Sequence, residues 1–375
     1  MDSNAVLIAA ASGRALAASA RRAGYTPLVA DLFGDQDTLA AAAAHVRVEP
    51  VNGYDIGADA LLAAFEALAE TRHPCGAVCG TGFEDRPDLL ERIAQRWGLV
   101  GNSAESVRRI KDPLAFAQLC RDCGIPHPEV SIAPPADMTE WLAKRIGGSG
   151  GAHIRVAADD RGPSFYFQRH VAGTPVSALL LADGRRAVVL GFSQQWSSPT
   201  RTRPFRYGGA AQPAALDDDV ERDMTTAIER LVVSTALLGM NSADFLVDGN
   251  TFQLLEVNPR PGATVDIFEP PSGSLFAMHV AACRGTLPAT APVYDEARAG
   301  AVVYAEQGIA AMPDLPWPDW SADRPVAGSA VPAGGPLCSV FAGAPTASAA
   351  RTLVERRAAE IVAALNARRT DARRT

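Results

Sequence analysis

The chain has 375 residues, 47% hydrophobic and 21% charged, so it can bury a large core and is too long for one compact pair of layers; two or three coupled domains are expected. Its formal charge is −7 and its 35 basic residues are scattered, which leaves no continuous positive surface for a phosphate backbone and argues against nucleic acid as a partner. No apolar run approaches the roughly 20 residues of a membrane helix, and the short run at 5–11 has no basic flank of the signal-peptide kind, so a cytoplasmic protein with no membrane partner is expected.

The first hundred residues alternate strand-like and helix-like stretches. A strand over 6–10, a helix over 15–23 closed by Gly24, a strand over 26–31 and an alanine-rich helix over 38–44 follow the grammar of a parallel α/β domain. A helix over 58–70 leads into a strand over 75–79 and then Gly80-Thr81-Gly82-Phe83-Glu84-Asp85, the strand-end position where such sheets bind ligands. Pro87 in a first turn and Gly98 as a stop bound the next helix over 85–97, and a connecting helix follows over 102–110. Asp112-Pro113 opens a short helix over 114–123, which Gly124, Pro126 and Pro128 end.

Strands dominate thereafter: 141–146, 154–157, 165–171, and a pair at 176–181 and 187–192 joined by Asp183-Gly184. A long amphipathic helix over 220–238 carries Met224, Ile228, Leu231, Thr235 and Leu238 on one stripe and must lie on a sheet. After Gly300 come strands and Pro/Gly-rich loops, then a helix near 347–367 and a basic tail expected to be disordered. The six cysteines include Cys120-Arg121-Asp122-Cys123 within a helix, with no second Cys/His pair at zinc spacing; they read as buried reduced thiols, and no structural metal is assigned.

The strongest chemical signal runs from Asn241 to Gly262 and reads as a hairpin turning at 248–250. In its second strand Phe252, Leu254, Glu256 and Asn258 share a face by the two-residue period, so a carboxylate and an amide oxygen emerge side by side. Oxygen ligands of this kind suit magnesium, or manganese, bridging nucleotide phosphates. Asp244 joins that face if a three-residue loop Asp248-Gly249-Asn250 pairs it with residue 254; a two-residue turn would pair it with 255 and aim it away. The three-residue loop is expected, with Asn250 in the left-handed position.

With Leu255-Glu256-Val257-Asn258-Pro259-Arg260-Pro261, the sequence resembles the ATP-grasp superfamily of carboxylate–amine ligases over most of its length. The resemblance implies ATP and magnesium as cofactors, Asp244, Glu256 and Asn258 as metal ligands, and Arg260 against phosphate or the activated substrate. It also implies two nucleotide-binding lysines, and the chain has only two, Lys111 and Lys144. Gly147-Gly148-Ser149-Gly150-Gly151, three positions after Lys144, is rich in backbone amides able to nest phosphates, with Gly148, Ser149 and Gly150 at its centre. No Gly-Lys-Ser/Thr follows, so it is no Walker A loop.

Gln168, Arg169, His170 and Val171 are similar to the family's adenine-reading hinge. Where many relatives carry a ribose-binding acid seven positions after Gln168, this chain has Pro175. The C-terminal stretch around Trp317–Trp320 and 335–342 is similar to β extensions of biotin-carboxylase-like relatives. The segments 82–90 and 299–305 are similar to ATP-grasp proteins of one-carbon cofactor pathways, such as tyramine–glutamate ligases.

The implied architecture is a multidomain α/β and α+β protein. A parallel α/β domain (1–102) precedes an ATP-grasp fold with antiparallel sheets (103–295), a C-terminal β-rich extension with its helix (296–367) and a tail (368–375). The implied reaction activates a carboxylate with ATP and joins it to an amine, with Lys144 and Arg260 as the catalytic cations. Small-molecule carboxylate and amine substrates are the expected partners, and a homodimer is left open. Ser12, Arg14, Gly82, Glu84 and Asp85 are cleft candidates for substrate, and Arg203 and Arg206 are loop cations able to clamp an anion. Two rivals compete: an NAD-dependent oxidoreductase, which the absence of GxGxxG disfavours, and a nucleotide-binding regulatory protein that keeps the fold without turnover.

Overall fold

A computed structural model describes residues 4–51, 53–70, 72–156 and 164–372. The amino-terminal quarter is built from β1 (Ala5–Ala10), α1 (Arg14–Arg22), β2 (Thr26–Asp31), α2 (Gln36–Ala41), β3 (Ala44–Arg47), α3 (Ala58–Glu70), β4 (Ala77–Cys79) and α4 (Pro87–Trp97). Its sheet is parallel, in the order β3-β2-β1-β4. Every residue of β1 is buried, as a strand covered on both faces requires, and Leu7, Leu28, Leu61 and Phe65 share one core.

Two linked helices follow, α5 (Ala104–Lys111) and α6 (Pro113–Asp122). Pro113 forces Asp112 out of helical backbone (ψ 118°), and the Asp112 side chain then caps α6 by accepting from the Ala115 amide at 2.7 Å. Lys111 is thereby fixed at a helix end. Next come β5 (Val130–Ser131), β6 (Trp141–Arg145), β7 (Ile154–Val156) and β8 (Phe165–Arg169), a small antiparallel sheet in the order β5-β8-β6-β7. Of the strand expected over 154–157, the last residue lies outside the described residues.

The rest of the chain comprises β9 (Thr174–Asp183), β10 (Ala187–Ser197), β11 (Tyr207–Gln212), α7 (Asp218–Thr235), β12 (Leu238–Asp248), β13 (Thr251–Asn258), α8 (Val265–Phe268), α9 (Leu275–Cys283), β14 (Ala297–Tyr304), β15 (Ser321–Ala322), β16 (Pro336–Ala344) and α10 (Ala347–Ala372). Its strands form one eight-stranded antiparallel sheet, β13-β12-β9-β10-β11-β14-β16-β15. The β-rich C-terminal region thus continues that sheet, because Gly209–Gln212 pair with Arg298–Ala301. Met224, Ile228 and Leu231 of α7 pack on Val176, Leu180 and Phe245 as their helical stripe requires. The helix is shorter than expected: Ala236 turns left-handed (φ 52°) and Leu238 already belongs to a strand. At the C-terminus α10 runs past 367 to Ala372, and 373–375 lie outside the described residues.

Candidate functional site

Lys111, Lys144, Asp244, Glu256 and Asn258 converge where the small sheet faces the large one. The hairpin brings Asp244 there by a route other than the expected one. Asp248 pairs with Thr251, so the turn has two residues, and Phe245 pairs with Leu254. A β-bulge then inserts Leu255, and Asp244 pairs directly with Glu256. The extra residue restores the face that a two-residue turn alone would have lost. Because Asp244 also pairs with Ser177 on β9, the three side chains form one row across three strands.

Ser177 Oγ donates to Asp244 Oδ1 at 2.6 Å, and Asn258 Nδ2 donates to Asp244 Oδ2 at 3.0 Å and to Glu256 Oε1 at 3.4 Å. Lys111 Nζ donates to Asn258 Oδ1 at 2.9 Å and stands 3.7 Å from Glu256. Lys144, on β6, is 4% exposed; burial pulls its pKa down while Glu256 and Asp244 pull it up. Burial and then the charge of Glu256 push the Asp244 carboxyl up. Burial also opposes ionisation of Glu256, but Lys111 and Lys144 outweigh it and hold that carboxyl well below its usual range. One carboxylate is therefore committed to the lysines and its neighbour lacks a full counter-charge. That imbalance, with two carboxylates and an amide oxygen as donors, fits a hard divalent cation. No cluster of three or more His, Cys, Asp or Glu forms a metal site among the described residues, because the third donor here is an amide.

The glycine loop closes one side of this cleft, which Lys111, His153 and Glu256 also line. Its glycines are set by close approach: a Cβ on Gly147 would lie 2.4–2.9 Å from Asp85, and one on Gly151, at φ 70°, would lie 1.9 Å from the Phe205 carbonyl oxygen. The Tyr207 amide donates to the Gly150 carbonyl at 2.9 Å, so the loop is tied to the large sheet. Ser149 presents its carbonyl to His153 Nδ1 at 3.3 Å. The His153 ring lies against Gly148, and burial brings its pKa down to about 4.

The hinge candidates divide. Gln168 is buried and lines the cleft, with Nε2 3.5 Å from the Leu255 carbonyl. Arg169 points outward to Glu140 and Glu129 and over Trp141. The backbone amides of Arg169 and His170 already donate to the carbonyls of Glu129 and Glu140, and the exposed His170 ring meets Phe205 edge-on. Val171 follows beyond the end of β8, partly buried.

The substrate candidates are bound up in structure. Arg260 gives its Nε and Nη2 to Glu84 Oε1 at 2.7 Å, and Glu84 Oε2 accepts from the Gly82 and Phe83 amides at 2.8 and 2.9 Å. Glu84 is held ionised, since Arg260 and Lys111 outweigh its burial. Arg14 bridges Asp266 and Asp323, and Ser12 donates to Asp323 at 3.0 Å, joining the first sheet's loops to the C-terminal region. Arg206 lies 3.7 Å over the Tyr304 ring and donates to the Ser198 and Gly334 carbonyls, so its guanidinium is already occupied. Of the two loop arginines, Arg203 alone is exposed. Sequence reasoning passed over Ser177, His127 and His153. Strand alternation was the available signal for Ser177; the others reach the cleft only through tertiary packing.

Known proteins resemble this chain in sequence over its middle part and in fold over most of its length. Residues 110–264 match the family model described as the ATP-grasp domain. The large chain of carbamoyl phosphate synthase from Rubrobacter xylanophilus is 23% identical over 232 residues, 55% of this chain and 22% of that one, so the chain spans about a fifth of that relative's length. Among solved structures, the biotin carboxylase β-γ-ATP complex from Campylobacter jejuni matches with a TM-score of 0.71 at 17% identity, covering 91% of this chain and 87% of that one. The biotin carboxylase domain dimer of Hydrogenobacter thermophilus 2-oxoglutarate carboxylase, in complex with MgADP, ADP and bicarbonate, matches with a TM-score of 0.71 at 13% identity, covering 92% and 87%. The chain thus carries an ATP-grasp domain at residues 110–264, set in an architecture shared with the biotin carboxylases.

Proposed function

We propose that the protein is an ATP- and magnesium-dependent ligase that activates a carboxylate as its acyl phosphate and transfers the acyl group to an amine, forming an amide. The observation that carries this reading is the convergence of both lysines of the chain with Asp244, Glu256 and Asn258 beneath a closed glycine loop. Lys111 and Lys144 would hold the phosphates, and Asp244, Glu256 and Asn258 the magnesium ion, which when bound neutralises charge between the terminal phosphates. Lys144, sunk in the cleft wall, neutralises charge where water is scarce and an ammonium counts most. Gly147 and Gly151 let the loop lie close over the cleft and exclude water from a hydrolysable acyl phosphate. Glu84 holds Arg260 beside the Asn258 end of the metal row, where the acyl group would form.

The Hydrogenobacter neighbour is described as a dimer with bicarbonate, which supports a homodimer and makes bicarbonate the smallest carboxylate to test. The narrower placement in one-carbon cofactor biosynthesis rests on the 82–90 and 299–305 segments. A competing reading, nucleotide binding without turnover, is favoured by the pairing of Arg260 with Glu84 and by Pro175 at the ribose position. Release of ADP and phosphate, measured with ATP and magnesium across bicarbonate, amino acids, other carboxylic acids and amines, separates the two. Tight ATP binding with no phosphate release on any pairing would sink the ligase reading.

A further inference from the structure

The cleft lining mixes Lys111, Arg145, His153 and Glu256 with the apolar Ile110, Phe116, Val130 and Leu255. Phosphates suit the cations of such a lining, and a flat heterocycle its apolar side chains.

His127 lines the same cleft, its ring set edge-to-face on Phe116 at 5.3 Å. Its Nδ1 lies 2.6 Å from the Leu254 carbonyl oxygen. A carbonyl only accepts, so Nδ1 carries the proton and Nε2 presents a bare lone pair. That Nε2 is the one buried side-chain nitrogen or oxygen without a hydrogen-bond partner among the described residues. Burial brings the ring's pKa down to about 4, so the lone pair persists at neutral pH. A buried acceptor left unmet is unfavourable, and a ligand seated in the cleft that His127 lines can supply the donor.

We propose that His127 Nε2 accepts a hydrogen bond from the exocyclic 6-amino group of the bound purine, which makes His127 a base-selecting residue. The inference rests on the ATP reading above. A 6-oxo purine would set an acceptor against an acceptor and leave both unpaired. A ribose hydroxyl is the other donor on a nucleotide, but Phe116 against the His127 ring, with Val130 and Leu255 in the same cleft lining, suits a ring face better than a sugar.

The test is calorimetric binding, with magnesium, of ATP, inosine triphosphate and 2′-deoxy-ATP to wild type, His127→Leu and His127→Gln. Wild type should prefer ATP over inosine triphosphate by about tenfold or more. His127→Leu should narrow that ratio to within about twofold by weakening ATP alone, and leave the ATP to 2′-deoxy-ATP ratio unchanged. His127→Gln, whose amide can offer a donor or an acceptor, should bind both bases about equally. Retention of the wild-type base preference in both variants overturns the proposal. So does a change confined to the 2′-deoxy-ATP ratio, which would assign the contact to the ribose. Failure of wild type to bind any of the three overturns the nucleotide reading itself, and is distinguishable from failure of base selection alone.

Discussion

Replacing Glu84 by Gln isolates an ion pair that joins the amino-terminal layer to the Asn258-Pro259-Arg260 loop. The pair is nearly dry, with side-chain exposures of 2% for Glu84 and 11% for Arg260. Glu84 accepts from Arg260 at 2.7 Å and from two backbone amides at 2.8 and 2.9 Å. A glutamine oxygen can keep the two amides, but its NH2 then faces a guanidinium, donor against donor. Two charge-assisted contacts are lost, each worth about 1.5–3 kcal/mol, and a buried cation stays unpaired. The expected destabilisation is about 3–5 kcal/mol, the range for removing one partner of a buried pair. Urea unfolding of wild type, Glu84→Gln, Arg260→Met and the double variant reads it. The double variant should be less destabilised than the sum of the singles, because it strands no charge. A Glu84→Gln midpoint within about 1 kcal/mol of wild type would refute the reasoning.

Lys111→Ala and Lys144→Ala should each weaken ATP binding by about 1.5–3 kcal/mol through loss of a charge-assisted contact, and wild-type affinity in both by calorimetry would remove them from the site. Glu256→Gln should abolish turnover and Asn258→Ala should hurt less, since an ionised carboxylate attracts a cation with full charge and an amide with a dipole; an active, magnesium-dependent Glu256→Gln enzyme would reject the metal assignment. Gly151→Ala must push a Cβ into the Phe205 carbonyl at a left-handed φ, so it should lift the loop and raise hydrogen exchange over 147–151, an effect absent if the loop is not held there. His279 accepts from the Met240 amide at Nδ1 (2.8 Å), and burial lowers its pKa to about 4. Below the unfolded value near 6.5 the unfolded chain takes up a proton that the folded chain refuses. Stability should therefore be full above that pH and fall by up to about 3 kcal/mol as pH drops toward 4. A His279→Gln variant with the same pH slope as wild type would exclude this origin.

The parts of the site that depend on local chain geometry were legible from residue order. The two-residue period places Glu256 and Asn258 on one face, and Pro113 and the Asp112 cap fix Lys111 at a helix end. The alternation of strands and helices in the first hundred residues likewise determined a parallel sheet, because each stretch has room to form only one kind of element. Tertiary structure decided what depends on partners remote in sequence. The turn at Gly249-Asn250 and the bulge at Leu255 settled how Asp244 faces Glu256, and a bulge depends on how two strands twist together rather than on the composition of either. Glu84 and Arg260 are 176 positions apart, and His127 reaches the Leu254 carbonyl from another element. Neither contact has a local signature, since each exists only once packed layers remove the alternative of water and make the remaining partner the one available.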